Sequence, residues 1–297
     1  MKMRIGTWIS MVGISAMIIV AVVYLQRFRT DHIENVVEPK TEEVVNGKPD
    51  TTVFESVPDP AQAAVPEPQG TIASSIPIFM YHYIRSYVDP SDPVGENLSV
   101  SPEAFENQIS RLKENGYETV SMDSFVHPKP LAGKPIVLTF DDGYQDAYDT
   151  AFPLLRRYGM TGTFYLITDK IGNPGYLTWD EVSEMRAAGM TFGSHTLDHP
   201  DLKTLPSGTM NREIIASKKL LEQKLGGNVT DFCYPSGKYD DAVVAEVHRD
   251  GYETAVTTHS GISPVKDDPF TLKRLRITEH TDIRSMIERK AELMTIR

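Results

Sequence analysis

The chain has 297 residues, of which 40% are hydrophobic and 24% charged, and its 30 Lys and Arg against 41 Asp and Glu give a net charge of −11. This composition excludes a largely disordered chain, a protein with many membrane spans and a basic nucleic-acid-binding protein. The single cysteine, Cys233, excludes an internal disulfide and any site built from several cysteines. We expect it to be a buried, unreactive side chain.

The amino-terminal region predicts a membrane anchor. Residues 6–26 carry no charged side chain, which matches the roughly 20 residues that a membrane-spanning helix needs. Basic residues flank this run on both sides, and we expect the amino terminus to lie in the cytoplasm. Residues 1–29 are therefore predicted to be a cytoplasmic tail and a single-pass anchor in the cell membrane, with the rest of the chain outside. A cleaved signal peptide and a secreted protein are the alternative.

A linker and one domain follow the anchor. Residues 30–75 contain nine acidic residues, two lysines and six prolines, a composition typical of an extended, disordered linker. From residue 76 to residue 297, short apolar runs alternate with amphipathic segments, as in β/α units around a mainly parallel sheet or barrel. The predicted fold class is α/β. Ser101 before Pro102 and a capping box from Thr178 to Glu181 predict the starts of two helices.

Two neighbouring carboxylates follow the apolar run 136–140. Asp141 and Asp142 emerge where a predicted strand ends, which is the position of the active site in β/α barrels. Neighbouring residues on a strand point to opposite sides, so a bend is needed to bring both carboxylates to one pocket, and Gly143 permits such a bend. A solvated turn is the alternative.

Two histidines follow the next-but-one predicted strand, at 190–193. His195 and His199 can bind one metal ion if the segment between them is helical or tightly turned. With one carboxylate of the Asp141–Asp142 pair they complete the three-ligand set of a hydrolytic metal site, and the other carboxylate is then a candidate general base. The alternative is a chance pair of surface histidines.

Two further elements at strand ends are candidates for the site. The segment 232–239 runs from a predicted strand into a Pro/Gly turn, and its aromatic side chains and backbone N–H groups could line a groove. An ordinary loop is the alternative. His82 comes directly after the first predicted strand, 76–81, where it is either a site residue or a histidine of the core.

Taken in this order, the elements resemble the polysaccharide deacetylases of carbohydrate esterase family 4, over residues 76–278. The run Thr-Phe-Asp-Asp-Gly at 139–143 is similar to the first motif of that family, and His195 with His199 is similar to the second. Met-Tyr-His at 80–82 resembles a circularly permuted branch that includes the poly-N-acetylglucosamine deacetylases. The resemblance implies a deformed (β/α) barrel with fewer than eight regular strands.

The resemblance also implies a role for each matching residue. It makes Asp142, His195 and His199 the ligands of a metal ion, Asp141 the catalytic base, the Ser236 N–H the oxyanion donor and His82 the general acid. The metal is usually zinc in this family, and other divalent metals stay open. The Leu-x-His run that usually carries the acid is missing here. His259 and His280 are therefore alternatives to His82.

One family arginine has no counterpart at its usual position. The third motif usually begins with an Arg that orients the base, and Cys233 stands there in this chain. The permuted branch carries an Arg in a late Leu-Pro-Arg run, and the similar Leu-Lys-Arg at 272–274 makes Arg274 the expected substitute. Arg276 is expected to point the opposite way and to pack or pair elsewhere.

These inferences predict a membrane-tethered, zinc-dependent hydrolase. It would remove N-acetyl groups from an extracellular or cell-wall polymer of N-acetylglucosamine, either poly-N-acetylglucosamine or peptidoglycan, and release acetate. An O-acetyl esterase acting on xylan-like polysaccharide and an inactive carbohydrate-binding module are the alternatives, and the base Asp141 argues against the second. A metallopeptidase is disfavoured because the chain has no His-Glu-x-x-His run. The expected partners are the acetylated polysaccharide and the membrane, and not nucleic acid.

Overall fold

The structure is a computed structural model that describes residues 71–286, all within one compact unit of the chain. The strands are β1 (Ile78–Tyr81), β2 (Tyr117–Thr119), β3 (Lys134–Phe140), β4 (Thr163–Leu166), β5 (Thr191–Ser194), β6 (Asp231–Cys233), β7 (Thr254–Ser260) and β8 (Leu272–Arg276). The α-helices are α1 (Pro93–Leu98), α2 (Pro102–Glu114), α3 (Phe152–Arg157), α4 (Trp179–Ala187), α5 (Ser207–Leu225) and α6 (Asp241–Arg249). A π-helical turn at Ala147–Ala151 leads directly into α3.

Seven of these strands close a parallel barrel. The order around the ring is β1, β8, β7, β6, β5, β4 and β3, and β3 also pairs with β1, which closes it. β2 pairs in parallel with β3 and adds an eighth strand outside the ring. The predicted deformed (β/α) barrel with fewer than eight regular strands is confirmed for the closed ring.

Side chains on the barrel strands alternate between two separate cores. The inward side chains form a small cluster that includes Ile78, Val137 and Leu272. Outward side chains such as Phe79 and Phe140 join the larger cluster between the barrel and the helices. β1 and β4 are buried on both faces, and such strands appear in the sequence as continuous apolar runs rather than as alternating ones.

Two helix starts follow from side-chain caps that the sequence predicts. The Ser101 hydroxyl accepts a hydrogen bond from the Ala104 N–H at 3.2 Å and begins α2. Thr178 and Glu181 form the predicted capping box of α4, with the Thr178 N–H donating to Glu181 at 2.7 Å. Each cap satisfies N–H groups that the first turn of a helix leaves without a backbone partner.

Residues 71–75, before the predicted boundary at residue 76, also contact the domain. Thr71 pairs with Leu131 and Ser75 with Pro264 in isolated antiparallel bridges. The predicted membrane anchor and residues 30–70 of the predicted linker lie outside the described residues. Over residues 71–286, none of the helices has both the length and the apolar character needed to cross a bilayer.

The parallel barrel decides where the predicted site residues meet. All carboxyl ends of its strands lie at the same rim, as in other β/α barrels. The residues predicted from β1, β3, β5 and β6 are on the segments that leave the barrel at this rim. Four sequence positions spread over about half of the chain are thereby brought to one place.

Candidate active site

The two neighbouring aspartates turn to the same pocket because the backbone reverses at the second of them. The Asp141 N–H still pairs with Tyr81 O, at 3.0 Å, and its side chain continues the inward side of β3. Asp142 takes a left-handed conformation with φ 75°, and Gly143 follows with φ 81°. The predicted bend therefore begins at Asp142 itself. A left-handed aspartate is strained relative to glycine, and such strain concentrates at functional sites.

The two histidines lie on a tight turn after β5, and not on a helix. Thr196 and His199 have φ values of 67° and 63°. The Thr196 hydroxyl accepts a hydrogen bond from the His199 N–H at 2.9 Å. Glu213, from α5, accepts from the N–H groups of Leu197 and Asp198, both at 3.1 Å. These bonds hold the loop in the shape that turns both imidazoles towards Asp142.

One carboxylate and two imidazoles converge in a geometry that fits a divalent metal ion. The Asp142 Oδ1 atom lies 3.5 Å from His195 Nε2 and 3.9 Å from His199 Nε2. The three candidate ligand atoms all lie within 4.8 Å of one another. Tetrahedral zinc with bonds of about 2.0–2.2 Å separates its ligand atoms by about 3.3–3.6 Å. The donor set and its spacing therefore suit such an ion.

The tautomer of His195 also fits metal binding. Its Nδ1–H donates to the Cys233 carbonyl oxygen at 2.7 Å, so the Nε2 lone pair is directed towards Asp142. Burial lowers the pKa of His195 to about 3, which keeps the imidazole neutral. A histidine ligand is usually fixed in this way by a hydrogen bond from its other nitrogen.

The second carboxylate of the pair is held by a buried arginine. Arg274 is fully buried, and its Nη1 and Nη2 donate to the two Asp141 oxygens at 2.7 and 2.8 Å. Its Nε donates to Thr257 O and its Nη1 also to Thr139 Oγ1, at 2.9 and 3.0 Å. Burial by itself raises the pKa of Asp141, but the charges of Arg274 and His82 hold that pKa well below its ordinary value.

The two aspartates consequently differ in protonation. Burial, together with the neighbouring Asp141 charge, raises the pKa of Asp142 to about 7. Asp141 stays ionised because Arg274 neutralises it. Opposite shifts in neighbouring carboxylates are typical of groups with different chemical roles.

His82 is the histidine that adjoins Asp141 from the β1 side. Its Nε2 lies 3.7 Å from Asp141 Oδ2. Burial lowers its pKa to about 4, against the attraction of Asp141. His259 and His280, the alternatives to His82, are exposed; His259 contacts Tyr239, and neither contacts Asp141 in the described part of the chain.

The predicted third motif is a tight turn at the same rim. It lies just after β6, where Ser236 and Gly237 have left-handed φ values of 55° and 68°. A Cβ atom on Gly237 would lie 2.7 Å from Thr258 N, so the turn packs tightly against β7. The loop that carries Ser236 is therefore held against β7 at Gly237.

Comparison with known proteins assigns the fold and the motifs to one family. The family model for polysaccharide deacetylases matches residues 128–255. YxkH of Bacillus subtilis (strain 168), a protein assigned by name to the polysaccharide deacetylases, is 32% identical over 209 residues, which are 69% of this chain and 72% of that protein. The chain belongs to the polysaccharide deacetylase family.

One further relative and one solved structure show which deacetylases this protein resembles. The poly-beta-1,6-N-acetyl-D-glucosamine N-deacetylase of Staphylococcus epidermidis is 26% identical over 200 residues, which are 62% of this chain and 69% of that enzyme. The Streptococcus pyogenes deacetylase PplD, solved in complex with acetate, superimposes with a TM-score of 0.68 and 32% identity. That match covers 73% of this chain and 98% of the other. The protein is thus a polysaccharide deacetylase related to the poly-N-acetylglucosamine enzymes.

Cys233 is fully buried and lies beside two of the candidate site residues, Asp141 and Arg274. Its Sγ lies 3.3 Å from Arg274 Nη2 and 3.7 Å from Asp141 Oδ2. Sγ, Asp141 and His195 form a second group of ligand-type atoms within 4.8 Å. Arg274 already occupies the Asp141 oxygens there, and burial raises the pKa of the thiol well above its usual range. The triad of Asp142 with the two histidines therefore suits a metal ion better.

The expectation that Arg276 points away from Arg274 is wrong. Residues two apart on a strand share a face, so both arginines of β8 point to the barrel axis. Arg276 lies close enough for the charges of Asp141 and Arg274 to act on its pKa, and its own charge acts on His82. Arg274 is buried and Arg276, one layer nearer the rim, is exposed.

Sequence reasoning did not find several residues that support the site. Thr139, Thr257 and Glu213 hydrogen-bond to Arg274 or to the histidine loop. Thr139 lies inside the recognised first motif and could have been noticed there. The others carry no motif, and only the barrel closure and the position of α5 bring them to the site.

Proposed function

We propose that this protein is a metal-dependent de-N-acetylase of an N-acetylglucosamine polymer. The observation that carries the proposal is the ligand triad of Asp142, His195 and His199 beside an ionised Asp141 at the barrel rim. A metal ion held there, which is usually zinc in this family, would polarise the acetamide carbonyl and lower the pKa of a water molecule.

Asp141 and His82 are proposed to move the proton that the reaction needs. Asp141 takes a proton from the attacking water, whose oxygen bonds to the carbonyl carbon. That proton passes from Asp141 to the neutral imidazole of His82, which gives it to the leaving amine as the carbon–nitrogen bond breaks. Because His82 Nε2 and Asp141 Oδ2 are 3.7 Å apart, the proton that Asp141 takes up has a short route to His82. One water is consumed, and acetate and a free amino sugar are the products.

The supporting residues are proposed to stabilise charge. Arg274 keeps Asp141 ionised and in one orientation, through two hydrogen bonds of 2.7 and 2.8 Å. The Ser236 N–H is the proposed donor to the carbonyl oxygen as that oxygen becomes negative. Donors fixed before the reaction cost no reorganisation when charge develops, which is the basis of oxyanion stabilisation.

Acetate release by the purified full chain tests this proposal. The substrates are β-1,6-linked N-acetylglucosamine oligomers and peptidoglycan strands, assayed after chelation and after zinc is added back. We expect release that needs the metal, that Asp141→Asn lowers by at least about 100-fold, and that the exposed Asp180→Asn leaves unchanged. A folded, zinc-loaded protein that releases acetate only from acetylated xylan would instead be an O-acetyl esterase. Binding without any release would favour a carbohydrate-binding module.

The cellular location is part of the proposal. The uncharged run at 6–26 supports a single-pass anchor with the catalytic domain on the extracellular side. Protease treatment of intact cells tests it, since an external domain is cut without lysis. Protein in the culture medium that lacks the amino-terminal segment would instead indicate a cleaved signal peptide and secretion.

A further inference from the structure

Arg276 places a positive charge at the rim where the barrel strands end. It is the last residue of β8, its Cα is in register with Met80 of β1, and it lies two residues beyond Arg274 on the same face. His82 follows β1 at the same rim, and the charge of Arg276 acts on it. The guanidinium therefore lies on the side of the site where the proposed leaving group receives its proton.

The carboxylates of the site are already engaged. Asp141 accepts both hydrogen bonds of Arg274, and Asp142 lies between His195 and His199. Within residues 71–286, the guanidinium of Arg276 has neither a hydrogen bond nor an ion pair. Arg274 thus occupies both oxygens of Asp141, the carboxylate with which Arg276 could otherwise have paired.

Three other cations on loops at this rim contact neighbouring side chains. Lys170, after β4, pairs with Asp198 at 2.8 Å, and Lys238, after β6, pairs with Asp201 at 2.9 Å. Arg85, after β1, lies over the Tyr83 ring at 3.6 Å. Arg276 differs from these three because it is directed to the interior of the mouth and has no such partner.

We propose that Arg276 binds a carboxylate of the substrate, next to the acetamido group that is cleaved. The inference rests on the proposed function and names its substrate class: a glycan whose N-acetylated sugars neighbour acidic groups, rather than a neutral homopolymer. The planar guanidinium offers two parallel N–H donors that match a carboxylate, and a charge-assisted pair is stronger than a bond to a sugar hydroxyl. Both Asp141 oxygens accept hydrogen bonds from Arg274, so the Arg276 guanidinium is free to form such a pair with an acidic group of the substrate.

A pair of substrates that differ only in this charge tests the inference. The first is a glycan strand of alternating N-acetylglucosamine and N-acetylmuramic acid with free lactyl carboxylates, and the second is the same strand with those carboxylates reduced to alcohols. We expect the wild-type full chain to prefer the first in kcat/KM by at least about tenfold, as for one charge-assisted pair. Arg276→Gln removes the preference, and Arg276→Lys keeps part of it. The preference also declines as salt rises.

The control is Lys273→Gln, which removes an exposed cation from the opposite face of β8 and is expected to keep the wild-type preference. Equal kcat/KM values for the two strands in the wild type would overturn the inference. So would an Arg276→Gln variant that loses activity equally on both, because that result assigns the residue to the reaction itself.

A failure of the proposed function gives a different result, namely no acetate from either strand. The inference about Arg276 is then tested by isothermal titration calorimetry of both strands with the metal-stripped full chain. We expect tighter binding of the acidic strand, and loss of that difference in Arg276→Gln. Equal affinities would overturn the inference.

Discussion

Arg274 and Asp141 lie 133 residues apart in the sequence and meet inside the barrel as a bidentate ion pair, at 2.7 and 2.8 Å. The pair joins β8 to the end of β3 across the barrel interior. A charge buried this deeply is tolerated only when it is paired and hydrogen-bonded, and here Thr139 and Thr257 complete the bonds of the guanidinium. The base of the proposed reaction thus depends on a residue from the last strand.

Replacing Arg274 by Gln should therefore affect stability and the pH profile together. The unpaired Asp141 charge costs about 3–5 kcal/mol of unfolding free energy, and thermal unfolding measures it. The pKa of Asp141 rises without its partner, so the acidic limb of kcat/KM against pH moves to higher pH. The double variant with Asp141→Asn should be less destabilised than the sum of the single variants. Strict additivity, with an unmoved acidic limb, would contradict the assigned coupling.

Asp142 should make the stability of the metal-free protein depend on pH. Its folded pKa of about 7 lies above the ordinary carboxyl value, so the folded state binds more protons than the unfolded state between pH ~4 and 7. The stability contributed by this group is present below that window and is lost as the pH rises through 7. Asp142→Asn should remove this slope and raise the metal-free Tm at pH 8.

The same variant should separate this effect from metal binding. Zinc binds the folded chain through the triad and should raise the Tm of the wild type. It should leave the Tm of Asp142→Asn nearly unchanged, because one of three ligands is lost. A similar rise in both proteins, measured by differential scanning calorimetry, would place the metal elsewhere.

His82→Gln should slow the cleavage of amides more than the cleavage of activated esters. An amine leaving group needs a proton, and loss of a general acid typically lowers the rate about 10²–10⁴-fold. A nitrophenolate leaves without protonation, so release from p-nitrophenyl acetate should be largely retained. His259→Gln and His280→Gln serve as controls and should not change the ratio of the two rates. A selective loss of amide hydrolysis in either control would move the acid to that residue.

Gly237→Ala should disturb the loop that carries Ser236. The new Cβ would overlap Thr258 Oγ1 and lie 2.7 Å from Thr258 N, in a backbone with φ 68°. We expect the free energy of unfolding to fall by about 1–3 kcal/mol because of the overlap. We also expect a lower kcat, because the Ser236 N–H moves. Gly226→Ala is the matched control: its φ is 69°, but a Cβ there meets no atom within 4 Å. It should lower the free energy of unfolding by about 1 kcal/mol, the cost of an alanine in the left-handed conformation, and leave kcat unchanged. Equal kcat values in the two variants would contradict the role of the loop.

Cys233 should react with thiol reagents only when the protein unfolds. The side chain is fully buried, and burial raises the pKa of its thiol, so little reactive thiolate is present. The rate of labelling by a disulfide reagent should follow the unfolding rate as denaturant is added. The chain has one cysteine, so the signal has a single source. Rapid labelling of the native protein would show that the barrel interior is open.

The sequence by itself determined the buried strands, helix caps and short motifs, because each depends on residues close together in the chain. Buried strands on a β/α barrel are apolar on both faces, so the run before Asp141 was recognisable without a partner strand. The capping box at Thr178 and the cap at Ser101 depend on hydrogen bonds within a few residues, and both were predicted. The motifs around Asp141 and His195 carry the family resemblance because their residues are close together in the chain.

The tertiary structure alone decided which distant groups meet. β2, β8 and the short helix α1 lack a strong local signal, and closure of the barrel fixes the place of β8 between β1 and β7. Arg276 lies on the same face of β8 as Arg274, because side chains alternate along a strand and residues two apart point to the same side. The pairing of Asp141 with Arg274, the tautomer of His195 and the support from Glu213 all require strands or helices far apart in sequence. Their physical cause is burial, since a charge or a polar group taken from water is stable only beside a partner that the fold delivers.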